Sequence, residues 1–109
     1  MHVAIYHCNA DLYGAVKLYV ERRLRFALRR FGGHVGRVVV TMLREGPTHN
    51  RCAISIEVPV VGRVAVEESN ADLFVAIDRA TRKIGKSLRR ELERARYISI
   101  GSESVRLVA

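Results

Sequence analysis

Two stretches of the chain repeat their apolar residues at the spacing of an amphipathic helix. In the first stretch these residues are Leu12, Val16, Val20, Leu24, Ala27, Leu28 and Phe31. In the second stretch they are Leu73, Ile77, Ala80, Ile84, Leu88 and Leu92. Such spacing puts each set on one face of a helix, so each helix must bury that face against another element. This requirement favours a layered domain in which both helices cover a common sheet.

Strand-like sequence lies before and between these two stretches. Residues 37–45 are rich in β-branched side chains, and residues 51–60 alternate apolar and polar side chains. Such alternation is typical of a strand with one buried and one open face. Beyond Gly62, residues 64–66 continue the alternation, and residues 2–6 predict a short strand at the start. We therefore expect four strands.

The predicted order of elements is β-α-β-β-β-α. It indicates a two-layer α+β fold, a four-stranded sheet with both helices packed on one face, as in double-stranded-RNA-binding domains. At this length we expect a single domain, formed by residues 1–96. Residues 97–109 hold two short apolar runs, and we expect a weakly ordered or strand-like short C-terminal tail.

Several residues indicate where the helices begin and end. Asn9 or Asp11 can cap the first helix, and the glycines at residues 32–33 should end it. Residues 69–72 resemble a capping box at the start of the second helix, with the fourth residue completing the box. Gly85 lies inside the second helix, where it costs about 1 kcal/mol relative to alanine. We expect that close packing against another element explains it.

The net charge of the chain, +8, is concentrated in the two predicted helices. Residues 11–31 hold six basic and two acidic residues, and residues 70–96 hold eight basic and four acidic residues, so each segment carries +4. The four arginines and four glutamates of residues 37–68 cancel. Basic charge concentrated on two elements builds a local field that attracts polyanions, so this pattern predicts a nucleic-acid partner.

A helical wheel places these cations opposite the apolar stripes. Residues 79–90 contain six basic residues and no acid, and like charges at this spacing repel unless a polyanion neutralises them. Each face alone has ordinary solvated surface as its alternative, but side by side the two would form one basic surface. The candidate RNA-binding residues are Arg22, Arg25, Arg29, Arg79, Arg82, Lys83, Lys86, Arg89 and Arg90. The flanks of this surface carry Arg23, Arg30, Arg89 and Arg94.

Two aromatic side chains lie toward the flank of the first predicted helix, near its arginines. Tyr19 and Phe26 have the ring faces on which RNA bases can stack. Packing against the neighbouring helix is the alternative, and it is the one we expect.

Motifs for other chemistry are missing from the sequence. There is no P-loop, no GxGxxG and no CxxC. The possible soft metal ligands are His2, His7, Cys8, His34, His49 and Cys52. They lack the close paired spacing of a zinc site. We therefore expect no enzyme activity, no cofactor, no metal and no small-molecule substrate.

The sequence also predicts where the protein is found. Cys8 and Cys52 do not make a disulfide framework, and we expect both to be buried thiols in a reducing compartment. No apolar run is long enough to cross a membrane, and the first residues lack the layout of a secretory signal. A cytoplasmic protein without a membrane partner is the expectation.

The start of the second predicted helix resembles a known family. Residues 72–78 are Asp-Leu-Phe-Val-Ala-Ile-Asp, and a basic run follows them. The ribosome hibernation-promoting factors and the related ribosome-associated inhibitor of bacteria have a similar pattern. It is Asp, Leu or Met, Tyr or Phe, any residue, then Ala-Ile-Asp and a run of Lys and Arg. The order of elements matches over residues 2–96, where the first half matches in layout more than in residues.

This resemblance implies a non-catalytic protein that binds the small ribosomal subunit through 16S ribosomal RNA. Members lie between the head and body of the subunit, overlap the messenger and transfer RNA sites, and silence translation in stationary phase or stress. The motif supports Arg79, Arg82, Lys83, Lys86, Arg89 and Arg90, whereas the first-helix positions depend on the wheel. Thirteen residues after Arg96 are too few for the C-terminal domain of long members, so we expect either a short form or a truncated chain.

Three other functions are alternatives to this one. The chain could be a different RNA-binding module of similar layering, such as a reader of duplex RNA. It could also be an interaction module for an acidic protein partner, since charge alone does not separate the two. A small enzyme or ligand-binding domain would need a pocket with convergent polar groups, and the sequence shows none.

Overall fold

The computed structural model describes residues 2–7, 13–59 and 61–108. Its elements are β1 (His2–His7), α1 (Tyr13–Leu28), a 3₁₀-helix (Arg29–His34), β2 (Arg37–Arg44), β3 (Asn50–Val58), β4 (Gly62–Asn70) and α2 (Leu73–Val108). The predicted α+β fold with the order β-α-β-β-β-α is confirmed.

The four strands form one mixed sheet in the order β1-β2-β3-β4. β1 runs parallel to β2, because the chain crosses over through α1 between them, and the other pairs are antiparallel. One row of paired residues crosses the whole sheet, namely Ile5, Val40, Ile54 and Val66. All four are buried, so this face of the sheet is the floor of the core.

Both helices pack on that buried face with their predicted apolar stripes. Val20 and Leu24 of α1 and Ile77, Ile84 and Leu88 of α2 are fully buried and belong to the same core cluster as the sheet. Burying each such side chain contributes about 1.5–3 kcal/mol. The outer faces of both helices are thereby left to solvent.

The helix ends differ from the prediction in two places. α1 ends at Leu28, and residues 29–34, with both glycines, form the 3₁₀-helix, a tighter turn that is common at the ends of α-helices. The capping box is also wrong, because Asp72 is itself the N-cap and its carboxylate accepts a hydrogen bond from the Phe74 N–H at 2.9 Å. Ser69 and Asn70 belong to β4 instead. The predicted caps of α1 lie outside the described residues.

The C-terminal segment corrects a further prediction. The backbone of α2 is helical through Val108, so the strand-like tail is wrong for residues 97–108. Each residue added to an existing helix gains a hydrogen bond, and the glycine at position 101 costs only about 1 kcal/mol. No proline stands in the way. The expected domain boundary at residue 96 stays a prediction.

Candidate nucleic-acid interface

The two helices approach each other closely at one glycine. A β-carbon added at Gly85 of α2 would lie 3.4 Å from the backbone oxygen of Ala27 in α1 and 3.7 Å from its β-carbon. The two helices therefore pack against each other at this position, as expected for Gly85, although a methyl group here would meet α1 only at ordinary van der Waals distance.

A polar contact joins the helices one to two turns away. Asp78 of α2 accepts a hydrogen bond from the hydroxyl of Tyr19 and lies 3.1 Å from the guanidinium of Arg23, both on α1. The hydrogen bond to Asp78, together with desolvation, raises the pKa of Tyr19. The Tyr19 ring also packs edge-on against Phe74, with 5.0 Å between the ring centroids. The prediction that Tyr19 packs against the neighbouring helix is confirmed.

The motif that carries the family resemblance thus has structural roles in this chain. Asp72 caps α2, Phe74 packs on α1, Ala76 and Ile77 are buried, and Asp78 holds α1. These residues set how the two helices lie against each other, and the basic run follows directly behind them.

Between the helices lies a cleft of about 580 Å³, which we call the basic cleft. It is formed by the C-terminal half of α1, the 3₁₀-helix and the middle of α2. Its basic lining residues are Arg23, Arg29, Arg30, Arg82, Lys86 and Arg89. Its other lining residues are Phe26, Ala27, Phe31, Thr81 and Gly85. No carboxylate of a described residue lines it.

The nine candidate RNA-binding residues fall into two groups. Arg29, Arg82, Lys86 and Arg89 line the basic cleft. The others do not line it and are exposed on the surfaces of the two helices, and they are Arg22, Arg25, Arg79, Lys83 and Arg90. Lys83 and Arg90 face β4, where the Lys83 ammonium lies 3.5 Å from the Glu68 carboxylate and Arg90 lies near Arg63.

Sequence reasoning placed two lining residues only at the margin. Arg23 and Arg30 were expected to flank the basic surface, but both line the basic cleft. Arg30 does so together with Phe31. Both residues belong to the 3₁₀-helix, where the wheel of a continuous α-helix no longer applies.

Most of the charge in the cleft is uncompensated. Arg23 is paired with Asp78, and Arg89 lies 3.9 Å from Glu93 in an exposed pair that contributes little. Among the residues that the structure describes, no carboxylate pairs with the four other lining cations, which are Arg29, Arg30, Arg82 and Lys86. Clefts lined by one sign of charge focus the electric field, so this one attracts anions.

Phe26 differs from its prediction. Its side chain is 71% exposed at the rim of the cleft, and the guanidinium of Arg29 lies over its ring, 5.7 Å from the centroid. Ala27 takes the position that contacts α2, and adjacent helical residues point about 100° apart. Phe26 is therefore turned outward, and the expectation that it packs on the neighbouring helix is wrong.

Other candidate chemistry is limited in the described part of the chain. Cys52 is fully buried, as predicted, and desolvation raises its pKa to about 12, which makes it a poor nucleophile. Cys8 lies outside the described residues. Over residues 2–7, 13–59 and 61–108, no three His, Cys, Asp or Glu side chains gather where they could hold a metal ion. The helices described there are not long and apolar enough to cross a membrane.

Fold and site together define a two-layer β-α-β-β-β-α domain with a cation-lined cleft between its helices. Residues 3–96 match the family described as Sigma 54 modulation protein / S30EA ribosomal protein, and the chain belongs to this family. It is the family of the ribosome hibernation-promoting factors, so the resemblance seen in the sequence is confirmed. Its members are known as ribosome-associated modulators of translation and not as enzymes.

Solved structures agree with this assignment. The N-terminal domain of Protein Y from Thermus thermophilus is 28% identical to this chain, with a TM-score of 0.69, over 83% of this chain and 98% of that one. A ribosomal subunit interface protein from Coxiella burnetii has a TM-score of 0.70 over 83% and 96% of the two chains. At 13% identity the latter shows the fold alone. No curated protein matches the sequence.

Proposed function

We propose that this protein binds the small ribosomal subunit through the basic cleft and silences translation by occluding the messenger and transfer RNA sites. The observation that carries the proposal is the group of unpaired cations, Arg30, Arg82 and Lys86, gathered in one cleft between two helices. A folded ribosomal RNA supplies the dense phosphate charge that such a cleft favours. Family membership supports the ribosome as the partner.

Electrostatic attraction brings the protein to the RNA, and the shape of the cleft then selects the docking position. Cleft cations neutralise phosphates directly, and each contact releases condensed counterions. The candidate RNA-binding residues outside the cleft extend the positive field over the outer faces of the helices. Each of them contributes less to the affinity than a cleft cation. With about four to six phosphate contacts, the log-log slope of affinity against salt should have a magnitude of roughly 3 to 5.

Family membership supports a location on the ribosome, and the family resemblance implies the position between the head and body of the small subunit. A protein seated there would be in the cytoplasm and would block ligands of the decoding channel by its bulk. Its mechanism needs no catalytic group.

Sedimentation with purified ribosomal subunits tests the proposal. We expect the protein to pellet with small subunits, to displace bound transfer RNA from them, and to lose binding as salt rises. Free duplex RNA in excess over subunits should compete poorly. Pelleting with large subunits alone, efficient competition by free duplex, or undiminished transfer RNA binding would each contradict the proposed mode of action.

A further inference from the structure

The basic cleft has an aromatic rim that phosphate binding does not require. Phe26 is the most exposed large apolar side chain in the described part of the chain, at 71%, and it lies beside the unpaired cations of the cleft. Exposing an aromatic ring to water is unfavourable, because free energy is gained when apolar surface is removed from water. A ligand that covers the Phe26 ring would therefore gain this free energy on binding.

The Phe26 ring is largely exposed, and its neighbours on the helices limit its freedom to move. The Arg29 guanidinium lies over the ring at 5.7 Å from its centroid, a cation–π arrangement that holds the side chain in place. The neighbouring residue Ala27 is fixed against Gly85 of α2, so the backbone that carries Phe26 is anchored. The ring is therefore preorganised at the edge of the cleft.

Ring and cations together fit one kind of ligand. Unpaired RNA bases stack on aromatic side chains, and their phosphates bind Lys and Arg, whereas duplex RNA is bound mostly by shape and backbone contacts. The volume of about 580 Å³ lies within the range of roughly 300–1,000 Å³ of sites for small ligands, which a single nucleotide resembles in size.

We infer that Phe26 is a stacking platform for an unpaired RNA nucleotide, whose phosphates are bound by Arg30, Arg82 and Lys86 in the basic cleft. The inference rests on the proposed function, since it specifies which RNA element the cleft accepts. The cleft then favours a loop or bulge of the ribosomal RNA over a continuous helix. Arg29 supports the ring from its other face.

The chain contains no tryptophan, so Phe26→Trp introduces the only tryptophan at the proposed platform, and its fluorescence can be excited apart from that of the four tyrosines. The two probes are an unstructured oligouridylate and a blunt RNA duplex. The oligouridylate has about six nucleotides, a length within the range that single-strand-binding proteins cover. We expect the single strand to quench the tryptophan and the duplex to leave it unchanged. Binding of the oligouridylate, seen by anisotropy, without quenching would overturn the inference.

Affinities of further variants separate stacking from apolar contact. Phe26→Ala should weaken oligouridylate binding about 5- to 150-fold, the usual range for loss of one stacked base. Phe26→Leu keeps the apolar bulk but has no aromatic face, so it should bind the oligouridylate almost as weakly as Phe26→Ala. Phe26→Trp should bind it about as tightly as the wild type. Leu18→Ala is the matched control, because Leu18 is 65% exposed on the same helix but does not line the cleft.

Two arms distinguish this inference from the proposed function. If Phe26→Ala binds small subunits as tightly as the wild type while reversal of the cleft charges abolishes binding, stacking is overturned and the proposed function stands. If the wild type does not bind small subunits, the proposed function fails, and the oligouridylate experiment still decides whether Phe26 stacks on unpaired bases.

Discussion

Gly85 of α2 lies against the backbone of Ala27 in α1, with 3.4 Å between the Ala27 oxygen and the position of a β-carbon at residue 85. This contact sets the separation of the helices at the floor of the basic cleft. Lining cations rise from both sides of it, with Arg30 on one side and Arg82 and Lys86 on the other. The width of the cleft therefore depends on the size of residue 85.

Substitution at Gly85 tests this dependence. Gly85→Ala should be accommodated, because 3.4 and 3.7 Å are ordinary van der Waals distances, and it should stabilise the fold by up to about 1 kcal/mol through higher helix propensity. Gly85→Leu should destabilise by about 1–3 kcal/mol through overpacking and should weaken ribosome binding by filling the cleft. Urea unfolding and subunit sedimentation measure both effects. Equal behaviour of the two variants would contradict this account of the cleft.

The fold was predictable because each element carries its own periodicity. The alternation of β3 and the stripes of α1 and α2 each require a buried face, and a two-layer arrangement satisfies all of them. The helix ends were less predictable, since Asp72 and Ser69 are both good N-cap residues by type. The structure decides between them, because β4 continues to Asn70 and so includes Ser69. The Phe74 N–H then donates its hydrogen bond to Asp72.

The candidate site was predictable in its charge but not in its shape. A wheel gives the direction of each cation on its own helix, so it identified Arg82 and Lys86 correctly as outward residues. It does not give the rotation of one helix against the other, which the Gly85 contact and the Asp78 interactions determine. The outward position of Phe26 follows from that rotation, whereas the inclusion of Arg30 follows from the 3₁₀-helix that continues α1.

The contact between Tyr19 and Asp78 predicts a dependence of stability on alkaline pH. Because the hydrogen bond to Asp78 raises the pKa of Tyr19 in the folded protein, its stabilisation is fully present below about pH 10, the unfolded value. It is lost as the pH rises above 10 through the raised folded pKa. The free energy of unfolding, measured with urea at about pH 9 and pH 11, should therefore fall more for the wild type than for Tyr19→Phe. Equal losses in the two proteins would exclude this role for the Tyr19 hydroxyl.

The N-cap of α2 makes a separate prediction about stability. Asp72→Ala removes the acceptor for the Phe74 N–H and should lower the free energy of unfolding by about 0.5–2 kcal/mol. Asp72→Asn keeps an acceptor oxygen and should lose clearly less, which makes it the matched control. Denaturant titration of both variants checks this. If Asp72→Asn lowers the free energy of unfolding as much as Asp72→Ala, the hydrogen bond to the Phe74 N–H is not the source of the stability.

The buried thiol of Cys52 should report opening of the core. Its pKa of about 12 and its full burial keep it protonated and inaccessible at neutral pH. In a Cys8→Ser background, a thiol-specific disulfide reagent should modify Cys52 slowly in buffer and rapidly once urea unfolds the protein. Modification in buffer at the rate of the unfolded chain would show that β3 is not sealed by the helices.

We propose that the position of the basic residues, and not the net charge alone, directs the protein to the ribosome. Two double reversals separate these causes. Arg82→Glu with Lys86→Glu changes the basic cleft, and Arg37→Glu with Arg63→Glu changes exposed arginines on the open face of the sheet. Each reversal removes two charges, so both double variants lower the net charge from +8 to +4.

Co-sedimentation of these variants with small ribosomal subunits, at low and at moderate salt, tests the claim most directly. Unfolding titrations first establish that both variants are folded. We expect the cleft variant to bind at least about tenfold more weakly than the wild type, with a salt slope smaller by roughly 1.4 to 1.8, and the sheet variant to bind almost as tightly as the wild type. Equal weakening of the two variants, or unchanged binding of the cleft variant, would contradict it.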